Sequence, residues 1–204
     1  MPSLKMEEYL KSTYFMDCDS LLVKDRAKEL VRSTDHELER AKRVFYFVRD
    51  EIRYNPYLFS SDAEDFIASK ILKQGEGYCV QKAVLLSALA RAVGIPSRLG
   101  FATIRNHLAP EKLVKLMGTD IFVCHGYSEL FLGGKWIKAT PTFDLKMCQR
   151  IGVPSVEFDG RRDTILPKYN KKGELYIEYI QYHGSYDDLP LKRIVDFDQI
   201  AAHR

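Results

Sequence analysis

The sequence lacks several features that would assign it to a membrane, a secretory route or a nucleic acid. None of its apolar runs approaches the length of a membrane-spanning helix, and the first residues, 1–8, lack the apolar core of a signal peptide. The net charge is only +3 over 204 residues, and the basic residues are interspersed with acidic ones. This balance argues against nucleic acid or an anionic membrane as a partner, and we expect a cytoplasmic protein.

Cysteine is also sparse. The four cysteines, Cys18, Cys79, Cys124 and Cys148, are widely spaced and form no Cys-x-x-Cys pair. This spacing argues against a disulfide framework and against a structural zinc site. We expect four free thiols, no metal site and no organic cofactor.

One cysteine stands at the head of a long apolar segment. Gly75 and Gly77 precede it, the run from Tyr78 to Val93 is almost free of polar residues, and Gly94 and Pro96 end it. The pattern predicts a helix over 78–93 that is buried nearly all round. At the start of such a helix, unpaired backbone N–H groups and the helix dipole favour a thiolate at Cys79 and can bind an oxyanion. The alternative is that Cys79 only packs in the core, as free cysteines commonly do.

The remaining segments predict an α+β fold. Helical periodicity covers 21–32 and 37–54, and a shorter helix is expected over 63–73. After Pro96 the period changes to alternation, which predicts a strand, and two further strands over 121–132 and 135–142 are joined by Gly133-Gly134. We expect N-terminal helices and the cysteine-bearing helix to pack on an antiparallel sheet. The length fits a single domain over 1–204.

The hairpin register places polar residues near one another. A two-residue turn pairs Leu132 with Lys135 and His125 with Thr142, so Thr140 and Asp144 lie diagonal to His125, about 7–8 Å away. A histidine that activates a thiol needs a third group to orient it, and a carboxylate is the usual choice. Asp144 is therefore favoured over Thr140. The alternatives are a structural role for His125 in its strand and a capping role for Asp144.

These residues carry a resemblance to a known family. Gly77-Tyr78-Cys79, the run from Ala88 to Arg98, His125 followed by Glu129, and Gly134-Lys135-Trp136 resemble the transglutaminase-like superfamily, with a core over about 44–144 and an extension over 145–204 packed on it. The chain looks like a small single-domain member of bacterial type. The resemblance implies a papain-like fold in which Cys79 is the nucleophile, His125 is the base and an aspartate orients the histidine.

The sequence departs from the family pattern at the position of the aspartate that orients the histidine. Family members usually read Trp-x-x-x-Asp-Pro-Thr, whereas this chain has Thr140 in the aspartate position, before Pro141-Thr142. The aromatic residue two positions after the histidine, often Trp, is Tyr127. Asp144 is the replacement carboxylate if the strand bends near Pro141; otherwise no carboxylate takes part.

The leading hypothesis is a cysteine-dependent acyl-transfer enzyme that hydrolyses an amide bond of a peptide or protein. Its predicted catalytic residues are Cys79, His125 and Asp144, and its predicted substrate-binding residues are Tyr78, Tyr127 and Thr140. Hydrolysis is favoured over cross-linking because the sequence has no calcium-loop motif. The alternatives are an amine-accepting transglutaminase, a catalytically impaired module that binds peptide, and a structural domain.

Overall fold

The computed structural model describes residues 4–194, with side chains from residue 6 onward. It contains seven α-helices within that range: α1 Leu4–Glu7, α2 Leu21–Val31, α3 Glu37–Glu51, α4 Ala68–Gln74, α5 Cys79–Ala92, α6 Glu111–Met117 and α7 Leu145–Ile151. The strands of the same range are β1 Arg53–Tyr54, β2 Glu76–Gly77, β3 Ser97–Asn106, β4 Ile121–Leu132, β5 Lys135–Ala139 and β6 Ile177–Tyr186. Short 3₁₀ turns cover Glu8–Leu10 and Ala63–Phe66.

The main sheet is antiparallel and has the order β5-β4-β3-β6, while β1 and β2 form a separate parallel pair. The predicted hairpin register is confirmed at its closed end, where Leu132 pairs with Lys135. Gly133 and Gly134 have φ values of 57° and 84°, so both adopt the left-handed conformation that a tight hairpin turn requires. The α+β fold class is confirmed.

Helix α5 is the centre of the core. Every residue from Cys79 to Arg91 is buried, as its largely apolar sequence predicts. The helix packs directly on β4, where a Cβ atom at Gly126 would lie 2.9 Å from the Cα atom of Val80. One turn further along, the Ser128 hydroxyl donates a hydrogen bond of 2.8 Å to the carbonyl oxygen of Ala83. Glycine and serine in β4 thus allow the helix backbone to approach the strand closely.

Strand β5 is shorter than predicted, and this corrects the expected placement of two site residues. It ends at Ala139 rather than at residue 142, and the chain then leaves β4. On its other edge, β5 forms an isolated parallel bridge between Ala139 and Thr164: the Thr140 N–H donates to the Thr164 carbonyl oxygen at 3.0 Å, and the Thr164 N–H donates to the Lys138 carbonyl oxygen at 2.7 Å. Pro141, which has no N–H to donate, follows at once. The expected pairing of His125 with Thr142 does not form.

Other boundaries differ by a few residues for local reasons. Helix α3 ends at Glu51 instead of continuing to 54, because Arg53 and Tyr54 pair with β2 as a short strand. The segment 106–117, expected as a loop with a helical turn, contains the seven-residue helix α6.

The stretch after residue 144 joins the same core through buried side chains such as Phe158, Tyr176 and Leu189. Strand β6, which lies in this stretch, pairs with β3. The predicted domain limits of 1–204 include residues 195–204, which lie outside the described range, and they stay a prediction.

Candidate active site

Cys79 is the first residue of α5, and the entry to that helix is held by the side chain of Gln81. The Gln81 amide oxygen accepts a hydrogen bond of 3.1 Å from the Tyr78 N–H, and its amide nitrogen donates to the Asp65 carbonyl oxygen at 2.9 Å. Gly77 makes room for this side chain, since a Cβ atom there would lie 2.9 Å from the Gln81 Cβ. The thiol therefore sits at a fixed helix N-terminus, beside N–H groups that have no partner within the helix.

Lys82 fixes the same helix end to a second helix. Its side chain is fully buried, and its ammonium group donates to the carbonyl oxygens of Arg49, at 3.0 Å, and Ile52, at 2.6 Å, at the carboxyl end of α3. Burial lowers the pKa of Lys82 to about 7, a shift that the nearby carboxylates of Asp144 and Asp50 partly oppose. A buried lysine one turn after the cysteine thus anchors the cysteine-bearing helix.

Cys79 and His125 come together at the meeting point of two recesses. A wide recess has a volume of about 70 Å³ and a narrow recess about 30 Å³, and both residues line both of them. The side chains of Tyr54 and Phe122 also line both recesses. The cysteine helix and the histidine strand therefore contribute to the same two recesses, and the roles of nucleophile and base stay predictions from the sequence.

The electrostatic state of His125 is set by burial. The side chain is only 2% exposed, and burial lowers its pKa to about 3. Its Nε2 atom is buried and has no hydrogen-bond partner among the described residues, and its ring packs edge-on against Tyr179 with the ring centroids 6.0 Å apart. The imidazole is therefore neutral at physiological pH, which is the form that can accept a proton.

The two residues considered for orienting His125 have other contacts. The Asp144 carboxylate caps α7 by accepting a hydrogen bond of 2.8 Å from the Met147 N–H. Thr140 is fully buried and lies against Tyr179, whose pKa is raised by burial and only partly lowered by this contact. Within residues 4–194, the described hydrogen bonds include none between His125 and a carboxylate. The orienting role of Asp144 stays a prediction from sequence.

Comparison with known proteins identifies the family. The family model of the transglutaminase-like superfamily matches residues 24–141, which is more than half of the chain. The chain belongs to the transglutaminase-like superfamily. No curated protein matches the sequence.

Two solved structures are similar to the chain at low sequence identity. The crystal structure of a "putative cysteine protease" from Cytophaga hutchinsonii superposes with a TM-score of 0.54 at 15% identity, covering 91% of this chain and 55% of that chain. A "putative protease" from Parabacteroides distasonis gives a TM-score of 0.42 at 16% identity, covering 67% of this chain and 25% of that one. The chain thus spans between a quarter and about half of the length of these structures. At such identities the first match shows a shared fold.

The three predicted substrate-binding residues of this superfamily member are placed differently from one another. Tyr78 lines the narrow recess beside Cys79, and its ring contacts that of Phe59 at a centroid distance of 5.3 Å. Tyr127 instead lies over Gly100 on β3, where a Cβ atom would lie 2.3 Å from the ring. Neither Tyr127 nor Thr140 lines the two recesses. Substrate binding by these residues stays a prediction.

Sequence reasoning missed four residues that line the site. Tyr54 and Phe122 line both recesses, and Thr142 and Tyr176 line the wide one. Burial raises the pKa of Tyr54 well above its ordinary value, and proximity to Cys79 adds to the shift. In the sequence, the Asn-Pro pair after Tyr54 indicates the end of a helix, and it gives no sign that Tyr54 lines a site. Tyr176 comes from a distant aromatic-rich strand region, so no local pattern linked it to Cys79.

A larger cavity lies elsewhere. It has a volume of about 730 Å³ and is lined mainly by 155–168 and 177–179, without Cys79 or His125. Each carboxylate on its wall is already paired: Glu157 with Arg49, Asp159 with Arg162, Asp163 with Lys138 and Glu178 with His107. Its charged groups are committed to structural contacts, so the smaller site at Cys79 is the better candidate for chemistry.

Residues 4–194 lack the features of two other kinds of site. That part of the chain contains no group of three or more His, Cys, Asp or Glu side chains arranged to hold a metal ion. None of its helices is both long enough and apolar enough to span a bilayer.

Proposed function

We propose that this protein is a cysteine-dependent acyl-transfer enzyme that hydrolyses an amide bond, with Cys79 as the nucleophile and His125 as the general base. The observation that carries the proposal is the shared position of these two side chains at the junction of the two recesses. Membership in the transglutaminase-like superfamily supports it. We propose that the hydrolysed amide bond belongs to a peptide or a protein.

The reaction follows from the placement of each group. As the Cys79 sulfur bonds to the substrate carbonyl carbon, His125 accepts the thiol proton, and the carbonyl oxygen becomes an oxyanion near the N–H groups at the start of α5. His125 then donates that proton to the departing amine as the carbon–nitrogen bond breaks. Water next attacks the thioester, His125 takes its proton, and the acid and the free thiol are released.

Water is the proposed second acceptor. The narrow recess beside Cys79 has a volume of about 30 Å³, which is close to the share of one molecule in liquid water. A protein amine would need a wider approach that also keeps water away from the thioester.

Burial keeps His125 in the neutral form that can accept a proton, and the same lowered pKa makes it a weaker base than an ordinary histidine. The four cysteines are free thiols, which fits the reducing cytoplasm that we propose as the location.

A direct test uses a peptide amide substrate with and without an excess of a primary amine. Mass spectrometry of the products is expected to find mainly the free acid in both cases, and Cys79→Ala should remove it. Predominant amine incorporation that also depends on Cys79 would instead identify a transferase.

A peptide-binding module without turnover is the second candidate function. It is favoured by one observation, which is the absence of a described hydrogen bond between His125 and any carboxylate in residues 4–194. Calorimetric binding of a peptide to wild-type protein, with no product formed over hours, would support this candidate and contradict hydrolysis.

A further inference from the structure

Three residues that line the wide recess carry buried polar atoms without a described hydrogen-bond partner. Thr142 Oγ1, Tyr176 Oη and His125 Nε2 have no hydrogen-bond partner among the described residues, and all three side chains are at most 2% exposed. The three residues line the same recess, together with Cys79. Buried polar groups in folded proteins are nearly always hydrogen-bonded, and each unsatisfied one disfavours folding by about 1–3 kcal/mol. Three such atoms at one recess indicate a ligand that completes their bonds.

The walls of the recess exclude a charged ligand. They are built mainly from apolar side chains, such as Ile104, Leu113 and Phe143, and contain no Asp, Glu, Lys or Arg. A charged group placed there would lose its hydration without gaining a countercharge. An uncharged group with hydrogen-bonding atoms pays a smaller free-energy cost for leaving water, because Thr142 and Tyr176 can both donate and accept hydrogen bonds.

The volume limits the size of the ligand group. A cavity of about 150 Å³ accommodates benzene, and a liquid water molecule accounts for about 30 Å³. The wide recess, at about 70 Å³, therefore suits a small side chain rather than an aromatic ring.

We propose that the wide recess is a specificity subsite that binds a small uncharged group next to the scissile carbonyl, with a hydroxyl or carboxamide hydrogen-bonded to Thr142 and Tyr176. Threonine or asparagine side chains meet this description. The inference rests on the proposed nucleophilic role of Cys79 and adds the class of substrate group that is selected. Thr142 and Tyr176 are substrate-binding residues in this scheme.

The selectivity should be large because a ligand without hydrogen-bonding atoms leaves the hydroxyls of Thr142 and Tyr176 unpaired. A valine side chain matches threonine in shape but cannot bond to the two hydroxyls, which would then be sealed under an apolar group. Sites that hydrogen-bond a substrate hydroxyl discriminate strongly against the analogue that lacks it. Aspartate should be rejected relative to asparagine because of its charge.

The test compares affinity labels that need only a reactive thiol. The rates at which the chloromethyl ketones of N-acetylthreonine and N-acetylvaline alkylate Cys79 are measured by mass spectrometry. In this reaction the sulfur–carbon bond forms as chloride leaves. Iodoacetamide, which carries no side chain, gives the intrinsic reactivity of the thiol. The same comparison is made between the asparagine and aspartate reagents.

We expect the threonine reagent to react about tenfold faster than the valine reagent, or more. The double variant Thr142→Val/Tyr176→Phe should reduce this ratio towards one while the iodoacetamide rate is retained. Ser87→Ala is the matched control, since Ser87 Oγ is another buried hydroxyl without a described partner but lies outside both recesses. It should keep the wild-type ratio.

The outcomes separate the two proposals. If Cys79 reacts with iodoacetamide no faster than the other cysteines, the proposed function fails. If Cys79 is reactive but the threonine and valine reagents react equally, or if the double variant keeps the full ratio, the subsite is wrong and the hydroxyls bind only water. A preference for aspartate over asparagine would also overturn it.

Discussion

The two sides of the candidate site are built in opposite ways. On the cysteine side, Gln81 and Lys82 bond to fixed backbone groups and hold the start of α5 in place. On the histidine side, His125, Thr142 and Tyr176 present buried polar atoms without described partners. The contrast suggests a rigid nucleophile facing a wall whose bonds are completed when substrate binds. The predictions below test one side against the other.

The largest effect is expected on the cysteine side. Cys79→Ala should abolish amide hydrolysis, with a loss of about 10⁴-fold or more, because no other group can form the acyl-enzyme. Product formation measured by mass spectrometry checks this. Cys18→Ala removes a buried thiol far from both recesses and should keep the wild-type rate. Equal rates for Cys79→Ala and wild type would show that the thiol is not the nucleophile.

The histidine side should make folding sensitive to acid. The pKa of His125 is lowered from 6.5 to about 3, so between these values the unfolded chain binds a proton that the folded protein does not. Stability from this group is therefore lost as the pH falls from 6.5 towards 3, by about 1.4 kcal/mol per pH unit over most of the window. Urea unfolding at pH 7, 5.5 and 4.5 measures the slope.

His125→Gln is the control for that experiment. It removes the titrating group, so its free energy of unfolding should fall less steeply with acid than that of wild type. Identical slopes for the two proteins would mean that His125 titrates normally in the folded state.

Loss of the lysine anchor should destabilise the cysteine side. Lys82→Met keeps the side-chain length but leaves the carbonyl oxygens of Arg49 and Ile52 without their donor. The expected decrease in the free energy of unfolding is about 1–3 kcal/mol, measured at pH 6, where the ammonium is protonated. A stabilised variant would show that the burial of the ammonium outweighs its bonds.

The smallest effect is expected at Asp144. Asparagine caps helices about as well as aspartate, so Asp144→Asn retains the cap and removes only the charge. From the contacts of Asp144, we expect the hydrolysis rate to stay within about threefold of wild type and stability to change by less than about 0.5 kcal/mol. A loss of several orders of magnitude in rate would establish the orienting role that the sequence predicts.

The sequence predicted the elements whose signals are local. Gly94 and Pro96 end α5 as expected, and Gly133-Gly134 fixed the register of β4 with β5. The helix position of Cys79 and the strand position of His125 followed from these signals. Both line the recesses that make up the candidate site.

The rest depended on contacts between distant segments. Ala139, the last residue of β5, also pairs with Thr164, a residue from a loop that has no strand pattern. Thr142 was expected to face His125 as its strand partner, yet it reaches the site as part of the wall of the wide recess. Tyr176 completes that wall from just before β6. Sequence periodicity describes one segment at a time and therefore could not predict these contacts between distant segments.

The pairing of Cys79 with His125 is tested most directly by the reactivity of the four cysteines towards iodoacetamide at pH 6 and 7. Burial raises the pKa of Cys18, and raises that of Cys148 to about 11, so both are protonated there. If Cys79 is a nucleophile activated at a helix N-terminus and assisted by His125, mass spectrometry should find it alkylated far faster than Cys18, Cys124 and Cys148, and His125→Gln should slow it. Labelling of Cys79 at or below the rate of the other three, or unchanged by His125→Gln, would contradict the paired site.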